Sequence, residues 1–519
     1  MLSCLGSTSR RDGCTPYLHP LENYMMVEKK YIAVDLGADS GRVMLGTVSA
    51  EKLHLQEVHR FVNGPIEQDG SLHWDFPRLL SEIKTGIAKS LKESNGGVAG
   101  IGIDSWGVDF GLLDDKGNLI ENPYHYRDKR TNGVMEKAFA LMPKREIYEQ
   151  TGIQFMQLNS LFQLLSMRLS DSPTLKKARK MVFIADLVSY LLSGRCYAEY
   201  TIASSSQMMD MRTGIWSRPI FDNLNLPIDI CPDVIRPPKV VGALTDSVAK
   251  EIGCPPIPVI AVASHDSADA VAAVPADQNS SWAYLSSGTW SVMGVEIPNA
   301  IINDKTFTHN FTNEGGVDGT IRLLTNIMGL WLIQECKRHW QKEGHDLSYE
   351  RLTDLAQNAA PFAAFIETNN SEFLAPGNMP HRINQYLSRT GQRQIDDKGQ
   401  MIRMILECLA LKYREVFDHL EDVTGKKIDC LHIVGGGSQN LLLNQFTANA
   451  TAKTVIAGPV EAAAVGNLLT QARAAGQISS LAHARRLVKN SFELKHFHPK
   501  DLTLWQNRYK NKLNIASPP

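Results

Sequence analysis

The sequence has almost no net charge, no long apolar run and no closely paired cysteines, and each absence excludes a class of protein. Its 54 lysines and arginines stand against 55 aspartates and glutamates, which leaves a net charge of −1. No global positive field therefore attracts nucleic acid or an anionic membrane. No stretch approaches the ~18–20 apolar residues of a membrane span, and residues 1–20 lack the apolar core of a secretory signal. We expect neither nucleic acid nor a membrane as a partner.

The eight cysteines are dispersed along the chain. None belongs to a C-x-x-C pair, and no cysteine–histidine cluster has the spacing of a zinc site. This pattern predicts reduced thiols in a cytoplasmic protein. With 43% apolar and 21% charged residues, the 519-residue chain has the composition of a globular protein that buries a sizeable core.

Two distant stretches have the same pattern of strand, small-residue turn and strand. They are YIAVDLGADSGRVMLG at residues 31–46 and AYLSSGTWSVMG at residues 283–294, and both close on valine, methionine and glycine. Valine, isoleucine and tyrosine favour strands, and the glycines let a turn approach a ligand closely. We predict an α/β protein of two lobes with like architecture, each opened by such a hairpin.

The domain boundaries follow from where regular patterns begin and end. No pattern precedes Tyr31, so residues 1–27 are expected to be a disordered extension. The turn-rich stretch near 272–282 is the predicted junction, which gives an N-terminal lobe at 28–275 and a C-terminal lobe at 276–490. Residues 491–519 form a C-terminal segment.

Three glycine-rich turns follow predicted strands, at residues 37–41, 287–289 and 435–437. Backbone N–H groups freed by such turns bind anions without requiring net charge. A single one of them is more often only a tight turn. None fits G-x-x-x-x-G-K-[ST] or G-x-G-x-x-G, which counts against a P-loop NTPase and a Rossmann dehydrogenase. Together they favour one nucleoside triphosphate held between two lobes.

Asp266 is the candidate general base. It follows the apolar run 257–263 and begins a helical pattern, so its carboxylate is predicted at the carboxyl end of a strand, where open α/β sheets bind ligands. The alternative is that Ser264 or Asp266 only caps the helix. His265, taken alone, fits a packed and hydrogen-bonded histidine better than a ligand.

Three further side chains each have two interpretations. Asp35 ends the first strand beside the first glycine turn, where it either holds Mg²⁺ through water or is a turn aspartate. Arg42 either binds a phosphate in a forked geometry or is a solvated hairpin charge. Trp106 either stacks on a sugar or belongs to the core.

Eight segments carry a resemblance to a known family, and they occur in that family's order over residues 31–470. The chain resembles the FGGY carbohydrate kinases, within the actin-like ATPase superfamily. The segments are VDLGADSGR (34–42), IGIDSWGVDF (101–110), YRDKRT (126–131), ASHDSA (263–268), LSSGTWS (285–291), NEGG (313–316), NIMGLWL (326–332) and HIVGGG (432–437).

The resemblance implies two actin-like, ribonuclease H-like lobes with an ATP and sugar cleft between them. It implies ATP-dependent phosphorylation of the 1-hydroxyl of the ketose L-rhamnulose, with ATP as co-substrate and Mg²⁺ as cofactor, by a monomer or homodimer. In the family, the aspartate that corresponds to Asp266 is the general base. The sugar-binding positions are Gly107, His265, Asp266, Ser267 and Asn326. The nucleotide-binding positions are Ala38, Asp39, Ser40, Gly41, Arg42, Thr289, Gln334 and Gly436.

Two alternatives stay open at this point. A change in the pocket would make the chain a kinase for another ketose or polyol, such as L-fuculose, xylulose or glycerol. A non-catalytic actin-like ATPase is the other alternative, although such a switch does not require a base for a hydroxyl group.

Overall fold

Two large β-sheets form the centre of the molecule, one in each half of the chain. The computed structural model describes residues 28–277 and 280–515. The extension predicted at 1–27 and the end of the predicted C-terminal segment therefore lie outside the described residues. Within these ranges, no helix has both the length and the apolar character needed to cross a membrane, and the cysteines form no disulfide.

The described part of the first half, which begins at residue 28, contains fourteen strands and ten α-helices. Its strands are β1 Lys29–Leu36, β2 Ser40–Val48, β3 Leu53–Val62, β4 Pro65–Gln68, β5 Ser71–Trp74, β6 Ile101–Ser105, β7 Phe110–Leu113, β8 Lys180–Phe183, β9 Ala198–Glu199, β10 Met209–Asp210, β11 Ile215–Trp216, β12 Val234–Ile235, β13 Lys239–Ala243 and β14 Pro258–Ala261. Its helices are α1 Phe76–Glu93, α2 Val134–Leu141, α3 Lys144–Thr151, α4 Ser160–Leu169, α5 Pro173–Lys177, α6 Ile184–Ser193, α7 Tyr200–Ser204, α8 Arg218–Asn223, α9 Asp246–Ile252 and α10 Asp266–Ala272.

The described part of the second half contains seven strands and nine α-helices. Its strands are β15 Trp282–Ser287, β16 Trp290–Ile297, β17 Thr312–Gly315, β18 Ile321–Met328, β19 Cys430–Val434, β20 Thr454–Ala457 and β21 Lys495–Phe497. Its helices are α11 Asp304–Thr308, α12 Trp331–Lys342, α13 Tyr349–Asn358, α14 Met379–Arg389, α15 Lys398–Thr424, α16 Leu441–Thr451, α17 Ala462–Ala474, α18 Leu481–Ser491 and α19 Leu502–Ile515.

The two sheets share the order and the directions of six strands, and the second sheet has one additional edge strand, β17. The first runs β13-β14-β6-β1-β2-β3, and the second runs β21-β20-β19-β15-β16-β18-β17. In each, an antiparallel hairpin (β1–β2 or β15–β16) is followed by two parallel strands and then by an antiparallel edge strand. The prediction of two lobes with like architecture, made from the two repeated hairpins, is confirmed.

The central strands are apolar because both faces of each sheet are covered. In β6 every residue is buried, as parallel strands between helices usually are. Strands β1 and β6 pair in parallel, and their register places Asp35 of β1 opposite Asp104 of β6. Two carboxyl groups therefore lie side by side at the carboxyl ends of these strands. This edge of the first sheet faces the second lobe.

Helix α17 of the second lobe packs directly on the first lobe. Leu468 and Leu469 share a buried cluster with Tyr31 and Ala33 of β1, and the Gln471 side chain donates to the Ile32 carbonyl at 2.9 Å. These contacts join the two lobes along one side of the cleft.

Candidate active site

A cavity of about 340 Å³ opens at the junction of the two lobes. The first lobe contributes the β1–β2 turn, the segment after β6 and the start of α10. The second lobe contributes the β15–β16 turn, part of β18 and the segment after β19. Equivalent edges of the two sheets thus face the same space, and they bring the predicted phosphate turns and the predicted base together.

The three glycine-rich turns all reach this cavity. Across the cleft, Thr289 Oγ1 donates to Asp39 Oδ2 at 2.9 Å, which connects the first turn with the second. The second and third turns pack on each other, since a Cβ atom at Gly437 would lie 2.0 Å from Ser287 Oγ. Only glycine permits this approach.

Most of the residues predicted to contact the nucleotide line the cavity, but two of them do not. Gly41 is not on the cavity wall, because its backbone packs against the Phe61 ring, 2.2 Å from where a Cβ atom would be. Gln334 does not line the cavity but contacts a residue that does, since its Nε2 donates to Thr289 Oγ1 at 3.2 Å. The remaining predicted positions line the cavity: Ala38, Asp39, Ser40, Arg42, Thr289 and Gly436.

Arg42 is held between two carboxylates. Its Nε and Nη2 donate to Asp35 Oδ2 at 2.9 and 2.7 Å, and Nη1 forms an ion pair with Glu461 of the second lobe. The interpretation of Arg42 as a solvated hairpin charge is therefore wrong. The guanidinium bridges the two lobes at the edge of the cavity and remains 23% exposed.

Asp266 is the first residue of α10 and lies on the cavity wall with 32% of its side chain exposed. The interpretation of Ser264 or Asp266 as a helix cap is wrong, because His265 occupies the N-cap position. The Ser267 N–H donates to Asp266 Oδ1 at 2.5 Å. Burial raises the pKa of the Asp266 carboxyl to about 6, His265 opposes the rise and Asp35 adds to it. The group is thus ionised at pH 7 and is a better proton acceptor than an ordinary aspartate.

Two buried carboxyl groups hold the turn that precedes α10. Glu199 Oε2 accepts from the Ser264 N–H at 3.0 Å, and Asp186 Oδ1 accepts from Ser264 Oγ at 3.1 Å. The Thr201 hydroxyl accepts from the His265 N–H at 3.2 Å. Burial raises the pKa of Glu199 to about 7, although hydrogen bonds from its neighbours oppose the rise. These contacts fix the backbone that carries the base.

A hydrogen-bonded ring joins the base region to the second lobe. Arg322 of β18, which is fully buried, donates to Ser267 Oγ at 2.8 Å and to Glu314 Oε2 at 3.0 Å. His265 lies 3.2 Å from both groups, with Nδ1 toward Glu314 and Nε2 toward Ser267 Oγ. Burial acts to raise the pKa of Glu314, but the His265 and Arg322 contacts leave it below its usual value. His265 is therefore both a packed side chain and part of the cavity wall.

The predicted sugar-side residues Gly107 and Asn326 both line this cavity. Gln154 Oε1 accepts from the Asn326 backbone N–H at 2.9 Å and from its side chain at 3.1 Å. At Gly107, a Cβ atom would lie 3.0 Å from Ser205 Oγ and 3.1 Å from His265 Nε2. The absence of a side chain there keeps space open beside His265.

Asp109 is buried and fixes two tryptophan side chains, one of which lines the cavity. Its Oδ2 accepts from the indole N–H groups of Trp74 at 2.7 Å and Trp106 at 3.0 Å, and its Oδ1 accepts from Gln163 at 2.8 Å. Trp106 is only 6% exposed, yet it lines the cavity. The interpretation of this tryptophan as a core residue is confirmed, and its stacking on a sugar stays a prediction.

The sequence did not identify the roles of four residues at this site: Asp109, Gln154, Glu314 and Arg322. Asp109 and Glu314 lie within segments that carried the family resemblance, but nothing local distinguishes them from turn or strand carboxylates. Gln154 and Arg322 act on residues far away in sequence, so only the tertiary structure reveals them. A charged arginine inside the apolar pattern of β18 was the one available signal.

A metal site cannot be recognised from side-chain clustering alone. Within the described ranges, no group of three or more histidine, cysteine, aspartate or glutamate side chains could hold a metal ion. Mg²⁺ usually keeps several waters and takes one or two carboxylates together with substrate phosphates. Asp35, which is buried but lines the cavity, fits the role of a single carboxylate that would hold Mg²⁺ through water.

Solved structures of sugar and polyol kinases share this fold. A ligand-bound xylulose kinase from Lactobacillus acidophilus superimposes with a TM-score of 0.76 at 16% identity, over 94% of this chain and 97% of that chain. A glycerol kinase from Plasmodium falciparum with ADP superimposes with a TM-score of 0.68 at 16% identity, over 94% and 97% of the two chains. At such identities the likeness establishes the fold, and the predicted α/β fold of two lobes is confirmed.

Sequence comparisons establish the family. The rhamnulokinase of Bacteroides thetaiotaomicron is 44% identical over 484 residues, which cover 93% of this chain and 98% of that protein. The rhamnulokinase of Bacillus subtilis is 39% identical over 472 residues, 91% of this chain and 96% of that protein. Models of the N-terminal and C-terminal domains of the FGGY carbohydrate kinases match residues 30–273 and 283–475. The chain therefore belongs to the FGGY family of carbohydrate kinases.

Proposed function

We propose that this chain is a rhamnulokinase, which transfers the γ-phosphoryl group of ATP to the 1-hydroxyl of L-rhamnulose. The observation that carries the proposal is the position of Asp266. Its carboxylate, with a pKa raised to about 6, shares one cavity with glycine turns from both lobes. The identity of 39–44% to proteins named rhamnulokinase supports the choice of sugar.

Asp266 acts as the general base. An alcohol has a very high pKa, so its oxygen attacks phosphorus well only if a base takes the proton as the new bond forms. The sugar O1–Pγ bond forms, the bond from Pγ to the bridging oxygen breaks, the proton goes to Asp266 and ADP leaves. Because the pKa of Asp266 is about 6, the carboxylate is ionised at pH 7 and ready to accept that proton.

The sugar lies against residues from both lobes. Gly107, His265 and Ser267 of the first lobe and Asn326 of the second provide its walls and hydrogen bonds. The ring through Arg322 and Glu314 holds His265 and Ser267 in place, and Gln154 does the same for Asn326. Fixed polar groups orient a sugar hydroxyl toward the base without moving during the reaction.

The nucleotide phosphates lie against the three glycine turns. Ala38, Asp39, Ser40, Arg42, Thr289 and Gly436 face the phosphates directly, Gly41 shapes the turn from behind the wall, and Gln334 acts through the Thr289 hydroxyl. Mg²⁺, when bound, would neutralise charge on the β- and γ-phosphates. Asp35 is the carboxylate that would hold it, through water. Both Arg42 hydrogen bonds to Asp35 go to Oδ2, and the carboxylate lines the cavity, so the site fits such a contact.

The two lobes have to close on both substrates, because neither lobe holds a complete site. We place the boundary between the lobes at residues 275 and 276, with the N-terminal lobe at 28–275 and the C-terminal lobe at 276–490. Closure would also expel the water that competes with the sugar as phosphoryl acceptor.

A panel of acceptors tests the proposed substrate. ADP release is measured with L-rhamnulose, L-fuculose, D-xylulose and glycerol, and without any acceptor. We expect the highest kcat/KM with L-rhamnulose and little ADP without sugar. Preference for glycerol or D-xylulose would contradict the substrate, and rapid ADP release without sugar would instead favour an ATPase that uses nucleotide as a switch.

A further inference from the structure

The sugar end of the cavity has an apolar wall that the proposed chemistry leaves unexplained. Val108, Ile153, Met156 and Leu158 line it. They come from the turn after β6 and from the irregular segment between α3 and α4. A simple polyhydroxylated sugar offers little for such a surface to contact, since each carbon usually carries a hydroxyl group.

Val108 is held in an unusual backbone conformation at this wall. Its φ of +70° lies in the left-handed region, which a β-branched residue rarely adopts. The Ser160 hydroxyl donates to the Val108 carbonyl at 2.6 Å. Just after it, the Asp109 side chain is fixed by two indole N–H groups. Strained residues that their surroundings hold in place cluster at ligand sites.

Gln163 ties the two parts of this wall together. Its Nε2 donates to the Leu158 carbonyl at 2.9 Å and to Asp109 Oδ1 at 2.8 Å. The turn that carries Val108 and the segment that carries Leu158 therefore form one rigid surface rather than two separate loops.

Two polar side chains on the cavity wall, Asn159 and Ser205, already use all of their hydrogen-bond donors within the protein. Both amide hydrogens of Asn159 are donated, to the Gln154 carbonyl at 2.8 Å and to Gln207 Oε1 at 2.9 Å. The Ser205 hydroxyl donates to the Ile202 carbonyl at 2.8 Å. These two side chains thus have no hydrogen left for an additional sugar hydroxyl.

The wall is close to the base. Asp266 Oδ1 is 3.7 Å from His265 Nε2. The same nitrogen is 3.1 Å from where a Cβ atom of Gly107 would be. Val108 is the next residue along the chain, and it lines the same cavity as Asp266.

We propose that Val108, Met156 and Leu158 form a subsite for the methyl group at carbon 6 of a 6-deoxyketose. The inference rests on the proposed function and extends it to the basis of specificity. When the 1-hydroxyl of L-rhamnulose is at Asp266, carbon 6 is at the far end of the sugar, and it carries a methyl group. L-Fructose has the same configuration but a 6-hydroxyl, and L-xylulose is the pentulose that lacks carbon 6.

The test compares kcat/KM for these three ketoses in the full-length enzyme. A missing methylene in an apolar pocket lowers kcat/KM by about 10- to 200-fold, and an added hydroxyl lowers it by up to about 100-fold. We expect L-rhamnulose to exceed both of the others by amounts of this order.

Two variants connect the preference with this wall. Val108→Thr keeps the shape and branching of valine but adds a hydroxyl, and Met156→Gln keeps the length of methionine but adds an amide. Each should lower the ratio of kcat/KM for L-rhamnulose to that for L-fructose about tenfold, as expected for one new hydrogen bond. Val240→Thr, at an exposed position on β13, is the matched control and should leave the ratio unchanged. Thermal midpoints and ATP-analogue affinity verify that each variant is folded.

The outcomes separate this inference from the proposed function. If L-rhamnulose is phosphorylated but L-fructose is used equally well, or if both folded variants keep the wild-type ratio, the subsite is wrong and the proposed function stands. If L-rhamnulose is not phosphorylated while another acceptor is, the proposed function is wrong and the subsite falls with it.

Discussion

Arg322 Nη1 donates a 2.8 Å hydrogen bond to Ser267 Oγ, and this bond joins a strand of the second lobe to the residue that follows the proposed base. The arginine is fully buried and also pairs with Glu314 at 3.0 Å. The position of the base region thus depends on a charge supplied by the other half of the chain. The packing of the two lobes and the position of the proposed base are therefore coupled at this point.

Removal of this arginine should destabilise the whole protein. In Arg322→Met, Glu314 keeps its buried charge without the partner, and breaking a buried ion pair in this way typically costs about 3–5 kcal/mol. We expect the free energy of unfolding in urea to fall by that order. The variant Arg322→Met/Glu314→Gln should recover part of the loss, because the unpaired charge is gone. Arg195→Met, at an exposed position, is the control. Equal stability of wild type and Arg322→Met would contradict a structural role for the pair.

The substitution Asp266→Asn should remove proton acceptance and leave the shape of the cavity unchanged. A general base contributes about 10²–10⁴-fold, so kcat should fall by that factor. Ketose binding, measured by calorimetry, should stay within a few-fold of wild type. Asp396→Asn, at an exposed position, should behave as wild type. A variant Asp266→Asn with kcat close to wild type would mean that Asp266 is not the base.

The pH dependence of kcat/KM should report the raised pKa of Asp266. The carboxylate acts only when ionised, and it becomes protonated as the pH falls through about 6. Below that value kcat/KM should fall about tenfold per pH unit, and above it the profile should level off. An acidic limb centred near 4, the ordinary value for an aspartate, would contradict the assignment of Asp266.

The sequence could predict those features of the site that depend on residues close together in the chain, and it failed for contacts between distant segments. The β1–β2 and β15–β16 hairpins and the strand before Asp266 follow from strand-favouring residues, glycines and an apolar run, so their prediction succeeded. The helix-cap interpretation of Asp266 failed, because the position of a cap depends on the backbone angles of His265. The solvated interpretation of Arg42 failed since its partner Glu461 lies in the other lobe.

Residues that act through space were the hardest to predict. Gln154 and Asn326 contact each other although 172 residues separate them, and no periodicity encodes that pairing. Asp109 lies in a segment with two aromatic neighbours, yet only the fold brings the Trp74 indole to its carboxylate. The role of residues 1–27 stays a prediction, as these residues lie outside the described ranges.

The Thr289 hydroxyl should affect the nucleotide and not the sugar. It donates to Asp39 and accepts from Gln334, so it organises the phosphate side of the cavity. In Thr289→Val we expect the KM for ATP to rise about tenfold, the effect of about 1.4 kcal/mol that a lost hydrogen bond produces. The KM for the ketose should change little. Thr85→Val, on the exposed face of α1, is the control. A rise confined to the KM for the ketose would place Thr289 on the sugar side instead.

The most direct test of phosphoryl transfer to the 1-hydroxyl is the proton-coupled ³¹P NMR spectrum of the product formed from ATP and L-rhamnulose. L-Rhamnulose has one primary hydroxyl, on carbon 1, because carbon 6 is a methyl group. A phosphate ester there couples to the two CH₂ protons of carbon 1, so the account predicts a triplet or a doublet of doublets that grows with ADP in wild type and is nearly absent in Asp266→Asn. A doublet, which marks an ester of a secondary hydroxyl, or inorganic phosphate as the only new signal would contradict it.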